Sequence, residues 1–213
     1  MSARLHYAYD PLCGWCYAAA PIVSALLATG LVRLTLHGGG MLVGSRRRRM
    51  DEEFRQLIRF HEQRMHQLSG QPFGEPYTEG LLRDQSVVYD SGPPTVAILA
   101  AEALVGRGAE MYVAIQRAHY VEGRKTMNLD VLASLAAELG VVRAAFNAQW
   151  DVEAARVEHH YAETRAWLTR VGGHGFPTLA IESAGRIQRI DHGAWYGRPQ
   201  EFVESVRPML GGR

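Results

Sequence analysis

The spacing of hydrophobic and polar residues changes along the chain. Near its start, successive strand-like and helix-like spacings predict one compact unit. An apolar strand pattern covers residues 4–9, a helical pattern covers 14–29, and an alternating strand pattern covers 31–37. Strand, helix and strand in this order predict a right-handed parallel βαβ unit. The run Gly38-Gly39-Gly40 then ends the second strand pattern.

The middle of the chain, from about residue 50 to residue 171, reads as almost wholly helical. Asn128 is a predicted N-cap, and Pro93-Pro94 fits a first helical turn. The predicted helices cover residues 50–68, 93–104, 109–120, 129–139, 143–149 and 152–170.

Strand patterns return near the end of the chain. Residues 178–182 and 186–191 flank a short turn and predict an antiparallel hairpin. A final helix is expected over residues 199–210, despite Pro208. The complete order is therefore βαβ, a helical block, and ββα.

The only two cysteines, Cys13 and Cys16, are separated by two residues at the first strand-to-helix turn. Unpaired backbone N–H groups and the helix dipole stabilise an anion at a helix N-terminus. This position favours the thiolate, which is the nucleophile in thiol–disulfide exchange. The pattern predicts a redox site in which Cys13 attacks and Cys16, one turn further on, resolves the mixed disulfide.

Three other interpretations of the cysteine pair are a structural disulfide, half of a zinc site and coincidence. A structural disulfide between residues so close would close a very short loop and stabilise the fold little. Half of a zinc site would need about two more ligands, and no second Cys-x-x-Cys or His-x-x-x-His pattern supplies them. The nine histidines nevertheless leave a metal site open. The third interpretation is coincidence.

Composition narrows the classes of function. The 213 residues are 47% apolar, enough for a sizeable core, and a formal charge of +1 argues against a nucleic-acid or membrane-surface role. The run of four arginines at 46–49 is followed by acidic residues at 51–53, so a solvated helix start is expected there.

The location of the protein is expected to be cytoplasmic. No transmembrane span is predicted, and the apolar stretch 18–28 follows Asp10 and both cysteines, which does not fit a signal peptide. We therefore expect the mature chain to begin at Met1. In a reducing compartment, a cysteine pair of this kind is more often catalytic than structural.

A second motif, Phe176-Pro177-Thr178, precedes the third strand. Proline belongs at the first residue of a strand or at an edge, and an X-Pro bond in such a turn can be cis. Together with Cys13-Gly14-Trp15-Cys16 and the element order, this motif resembles the DsbA-like branch of the thioredoxin superfamily over essentially the whole chain. The segments 9–17 and 120–124 are most similar to the cytoplasmic, FrnE-related group of predicted protein-disulfide isomerases.

The resemblance implies an α/β thioredoxin-like fold with a large helical insertion. Residues 1–44 and 172–213 would form the thioredoxin-like domain, and residues 45–171 the insertion. Cys13, Cys16 and Pro177 would be the catalytic residues. Pro177 would leave the backbone of Phe176 available to an extended substrate. No histidine lies between the cysteines, which predicts a couple more reducing than that of the periplasmic oxidant.

Three further residues are candidates around the cysteines. Trp15 and Phe176 are expected to bind substrate. Asp10 is also assigned to the substrate site, where it could accept a proton or orient a thiol, and it could equally accept backbone N–H groups of the turn. Among the histidines, those expected nearest the groove are His37, His119 and His174, each with a surface or core role as the default.

The leading hypothesis is a thiol:disulfide oxidoreductase or isomerase that acts on a protein or small-molecule disulfide or thiol. It requires no cofactor or metal, although glutathione could serve as redox partner or co-substrate. One alternative is a glutathione-dependent isomerase or transferase, because kappa-class glutathione transferases and 2-hydroxychromene-2-carboxylate isomerases share the scaffold. They typically carry serine at the position of Cys13. Another is a metal- or partner-binding module. Monomer and homodimer both remain open.

Overall fold

The computed structural model describes residues 3–210 and contains a four-stranded mixed sheet. The strands are β1 (Ala3–Tyr9), β2 (Val32–Gly38), β5 (Thr178–Ser183) and β6 (Arg186–Ile190), in the order β2-β1-β5-β6. β1 pairs in parallel with β2, whereas β5 is antiparallel to both β1 and β6. The predicted βαβ unit and hairpin are therefore confirmed.

The helices surround this sheet and share its core. They are α1 (Gly14–Ala28), α2 (Glu52–Ser69), α3 (Gly92–Val105), α4 (Gly108–Tyr120), α5 (Leu129–Glu138), α6 (Arg143–Val171) and α7 (Pro199–Val206). One apolar cluster joins β1 and α1 to α3, α4 and α5. The Asn128 side chain caps α5 as expected, accepting from the Asp130 amide. The predicted fold class, a thioredoxin-like sheet with a helical insertion, is confirmed.

Three details of the sequence-based prediction are wrong. The helices expected over 143–149 and 152–170 form one continuous α6, since neither glycine nor proline interrupts them. The last helix ends at Val206 and continues as a 3₁₀ turn, where Pro208 has no amide to donate.

The arginine run does not begin a helix. Arg48–Arg49 forms strand β3, which pairs with β4 (Val88–Tyr89) in a two-stranded ribbon inside the block expected to be helical. The helix starts only at Glu52, because the Asp51 carboxylate accepts from the Phe54 amide and caps it.

A stack of aromatic rings joins the sheet to α6. Nδ1 of His6 and Nε2 of His37 are 2.9 Å apart, and the His37 ring stacks on Trp167 with centroids 4.3 Å apart. Burial lowers the pKa of His37 to about 4, and His6, His160 and Arg170 contribute smaller shifts in the same direction. His37 is therefore neutral in the folded protein near pH 6.

This neutral histidine should make the protein less stable in acid. The unfolded chain binds a proton at residue 37 near pH 6.5, whereas the folded protein does so near pH 4, so stability falls as pH is lowered through this interval. We expect His37→Gln to show a shallower fall in the free energy of unfolding between pH 6.5 and 4, measured by urea denaturation. The control is His159→Gln, since the His159 side chain is 79% exposed. If the free energy of unfolding fell equally with pH in the two variants, this pH dependence could not be assigned to His37.

Candidate functional site

Cys13 and Cys16 lie where β1 passes into α1. Cys13 is the N-cap of α1, and its carbonyl accepts the amides of Cys16 and Tyr17 at 3.0 and 3.1 Å. The structure contains both cysteines as free thiols. Cys13 is 7% exposed and Cys16 is fully buried. Burial raises the pKa of Cys16 well above its ordinary value, and the neighbouring Cys13 thiol raises it further.

The loop before β5 faces the sulfur of Cys13. The Phe176–Pro177 peptide bond is cis, and the Cys13 thiol donates to the Phe176 carbonyl at 3.6 Å. The Phe176 ring lies over Gly39, where an added Cβ would come within 2.1 Å of the ring. The loops that follow β2 and precede β5 therefore meet beside the sulfur, and glycine at position 39 permits this contact.

Asp10 lies beneath the redox turn. Its Oδ1 accepts from the Leu12 amide at 2.9 Å and the Ser91 hydroxyl at 2.8 Å, and its Oδ2 accepts from the Met41 amide at 2.7 Å. The expectation that Asp10 accepts backbone N–H groups is confirmed. Its assignment to the substrate site stays a prediction, and the residue is completely buried in this structure.

A largely apolar cavity of about 300 Å³ opens beside Cys13. α2 crosses the start of α1 so closely that a Cβ at Gly14 would lie 2.7 Å from the sulfur of Met65. Trp15 and Tyr120 also line the cavity. The ring of Trp15 lies 5.7 Å from that of Tyr196, centroid to centroid. The cavity thus lies between the redox turn and the helices that follow β2.

The three candidate histidines have different surroundings. His119 lines the cavity, and burial lowers its pKa to about 3, so it is neutral at physiological pH. His37 belongs to the stack under the sheet, and His174 is exposed in the loop before Phe176. Sequence reasoning missed the cavity residues on α2, because Met65 is one apolar position on an ordinary amphipathic helix.

Neither a protein-family model nor a curated protein matches the chain. Solved structures do match it. The cytosolic disulfide reductase DsbM from Pseudomonas aeruginosa is 44% identical with a TM-score of 0.90, over 97% of this chain and 98% of that chain. Its structure with GSH matches at 43% identity and a TM-score of 0.88, with the same coverage of both chains. A candidate protein disulfide isomerase from Nitrosomonas europaea is 25% identical with a TM-score of 0.80, over 98% of this chain and 97% of that chain.

Residues 3–210 contain neither a membrane-spanning helix nor a metal-binding cluster of side chains. No helix in this range is long and apolar enough to cross a membrane. Within the same residues, no group of three or more His, Cys, Asp or Glu side chains is arranged to hold a metal ion.

The contact between Gly39 and Phe176 can be tested by adding one methyl group. We expect Gly39→Ala to displace the Phe176 ring and lower the free energy of unfolding by about 1–3 kcal/mol, as overpacking does elsewhere. Gly175→Ala is the matched control in the facing loop, because no atom lies within 4 Å of its added Cβ. It should change stability by less than about 0.5 kcal/mol. If Gly39→Ala and Gly175→Ala had equal free energies of unfolding in urea, the packing of the Phe176 ring would not require glycine at position 39.

Proposed function

The chain belongs to the family of the cytosolic disulfide reductase DsbM, in the DsbA-like branch of the thioredoxin superfamily, and we propose that it reduces disulfides with electrons from glutathione. It is a thiol:disulfide oxidoreductase. The observation that carries the proposal is the placement of the Cys13 thiol at the N-terminus of α1, with Cys16 buried one turn behind it.

In the proposed cycle, the Cys13 thiolate attacks one sulfur of the substrate disulfide. A Cys13–sulfur bond forms, the substrate disulfide breaks, and the leaving thiolate takes the electron pair and a proton. Cys16 then loses its proton and attacks the sulfur of Cys13. This step releases the second substrate thiol and leaves a Cys13–Cys16 disulfide, so two electrons have passed to the substrate.

Glutathione returns the pair to the dithiol state in two exchanges. The first glutathione forms a mixed disulfide with Cys13 and frees Cys16, and the second removes the first as oxidised glutathione. The structure of the DsbM relative with GSH supports this choice of reductant. A glutathione-rich, reducing cytoplasm is the proposed location, in keeping with that relative's cytosolic description.

The reducing direction is supported by what surrounds the sulfur of Cys13. Its hydrogen-bond partner is the Phe176 carbonyl, which carries no charge. The imidazole of His119, which lines the same cavity, stays neutral because burial lowers its pKa to about 3. DsbA is a strong oxidant because its reduced form is stabilised, and neither of these neutral neighbours supplies a positive charge that would do so here.

We expect the reduction potential of the Cys13–Cys16 couple to lie nearer to about −270 mV, the thioredoxin value, than to about −120 mV, the DsbA value. Equilibration in glutathione buffers, followed by acid quenching and mass spectrometry, measures it directly. A potential near the DsbA value would contradict the reductase direction. A chain that formed no intramolecular disulfide in any buffer would contradict the dithiol cycle itself.

The role of Cys16 as the resolving thiol predicts a trapped intermediate. Incubated with oxidised glutathione, Cys16→Ser should retain one glutathionyl group on Cys13, whereas the wild type should release it and form the internal disulfide. Intact-protein mass spectrometry distinguishes the two products. Cys13→Ser is the control and should carry no glutathione. Full disulfide-reductase activity in Cys16→Ser would instead favour the glutathione-dependent isomerase or transferase.

A further inference from the structure

Two residues that line the cavity beside Cys13 each have a buried polar atom for which residues 3–210 supply no hydrogen bond. Glu62 and Tyr89 are 4% and 2% exposed, and both line the cavity. Neither Oε2 of Glu62 nor the hydroxyl of Tyr89 has a hydrogen-bond partner within the described chain. Oε2 forms an ion pair with the half-exposed Arg59 at 3.6 Å, a distance too long for a hydrogen bond.

The rest of the cavity is built from rings and apolar side chains. The Tyr77 ring lies 5.4 Å from Tyr120 and 5.3 Å from His119, centroid to centroid, and the Tyr77 hydroxyl donates to Oε1 of Glu62 at 2.5 Å. Oε1 therefore has a hydrogen-bond donor, whereas Oε2 has only the long ion pair with Arg59. Burial also raises the pKa of Glu62. An unsatisfied buried acceptor is costly, so such atoms usually meet a ligand or water.

The size of the cavity limits what it can hold. Its volume of about 300 Å³ lies at the small end of ligand sites. A dry apolar cavity of about 150 Å³ already accepts one benzene ring. A single substituted ring therefore fits by volume, and Cys13, Glu62 and Tyr89 all line the space that it would occupy.

We propose that this cavity selects low-molecular-weight thiols with an aromatic body and a hydrogen-bond donor at the far end, bound as their mixed disulfides with glutathione. The inference rests on the proposed reductase function and names its substrate class. Cys13 attacks the sulfur of the aromatic thiol, a Cys13–sulfur bond forms, and glutathione leaves with the electron pair and gains a proton. Cys16 then releases the aromatic thiol, and two further glutathione molecules, oxidised to their disulfide, restore the dithiol.

Three probes with the same primary alkyl sulfur test this selectivity. They are the mixed disulfides of glutathione with ethanethiol, phenethyl thiol and para-hydroxyphenethyl thiol. Turnover is followed with glutathione, glutathione reductase and NADPH after subtraction of the uncatalysed rate. We expect kcat/KM to increase in that order, with the hydroxyl worth about threefold to tenfold, the value of one neutral hydrogen bond.

Variants assign the hydroxyl effect to the two polar groups. Tyr89→Phe removes only an unpartnered oxygen, and Glu62→Gln keeps the shape of the side chain. Each should reduce the preference for the hydroxylated probe over the phenethyl probe. Tyr161→Phe is the matched control, because its hydroxyl is also buried and unpartnered among the described residues but lies outside this cavity. It should keep the wild-type preference.

The outcomes separate this inference from the function on which it rests. Equal turnover of the three probes would overturn the selectivity and leave the reductase intact. A preference that Tyr89→Phe and Glu62→Gln do not reduce would overturn the assignment to these residues. If no probe is turned over, this substrate class is overturned, the reduction potential still tests the reductase proposal, and ligand-observed NMR with para-hydroxyphenethyl alcohol still tests the cavity. Binding weakened by Tyr89→Phe would support the site, and absence of binding would overturn it.

Discussion

The buried carboxylate of Asp10 joins three chain segments that meet at the redox turn. Its oxygens accept from the turn itself at Leu12, from the loop after β2 at Met41, and from Ser91 just before α3. Its carbonyl accepts the Cys13 amide at 3.1 Å. Burial raises the pKa of Asp10 to about 6, although these hydrogen bonds oppose the shift. Replacing the carboxylate would leave several buried donors unpaired, so the position of Cys13 depends on it.

Two glycines let bulky side chains approach the thiol that Asp10 positions. Gly14 admits Met65, and Gly39 admits the ring of Phe176. The Met65 side chain and the Phe176 ring therefore pack beside the redox turn, and the Cys13 thiol donates to the Phe176 carbonyl. The turn also supplies the helix N-terminus, whose dipole stabilises an anion. The helix dipole and the packed side chains therefore meet at the same turn.

Helices and strands that have a regular hydrophobic spacing and clear turn residues could be predicted from the sequence. Contacts between segments far apart in the chain could not. Cys13 and Cys16 define the site from their spacing alone, and Phe176-Pro177 identifies the facing loop. The burial of Asp10 could not be inferred, because its donors come from residues 41 and 91. Glu62 gave no signal either, since a carboxylate on an amphipathic helix usually faces water. The β3–β4 ribbon is too short to show alternation.

Under the proposed function, the side chains that hold Cys16 differ from those that would select the substrate, although α4 contributes to both sets. The backbone of Cys16 is held from the sheet side, where the Tyr7 hydroxyl donates to its carbonyl at 3.1 Å and lies 3.0 Å from the Tyr112 hydroxyl. The cavity is lined by other side chains, from α2, from the turn that contains Tyr77 and from the end of α4. Under the proposal, changes in α2 would therefore alter which thiol reaches Cys13 without removing the hydrogen bond between Tyr7 and the Cys16 carbonyl.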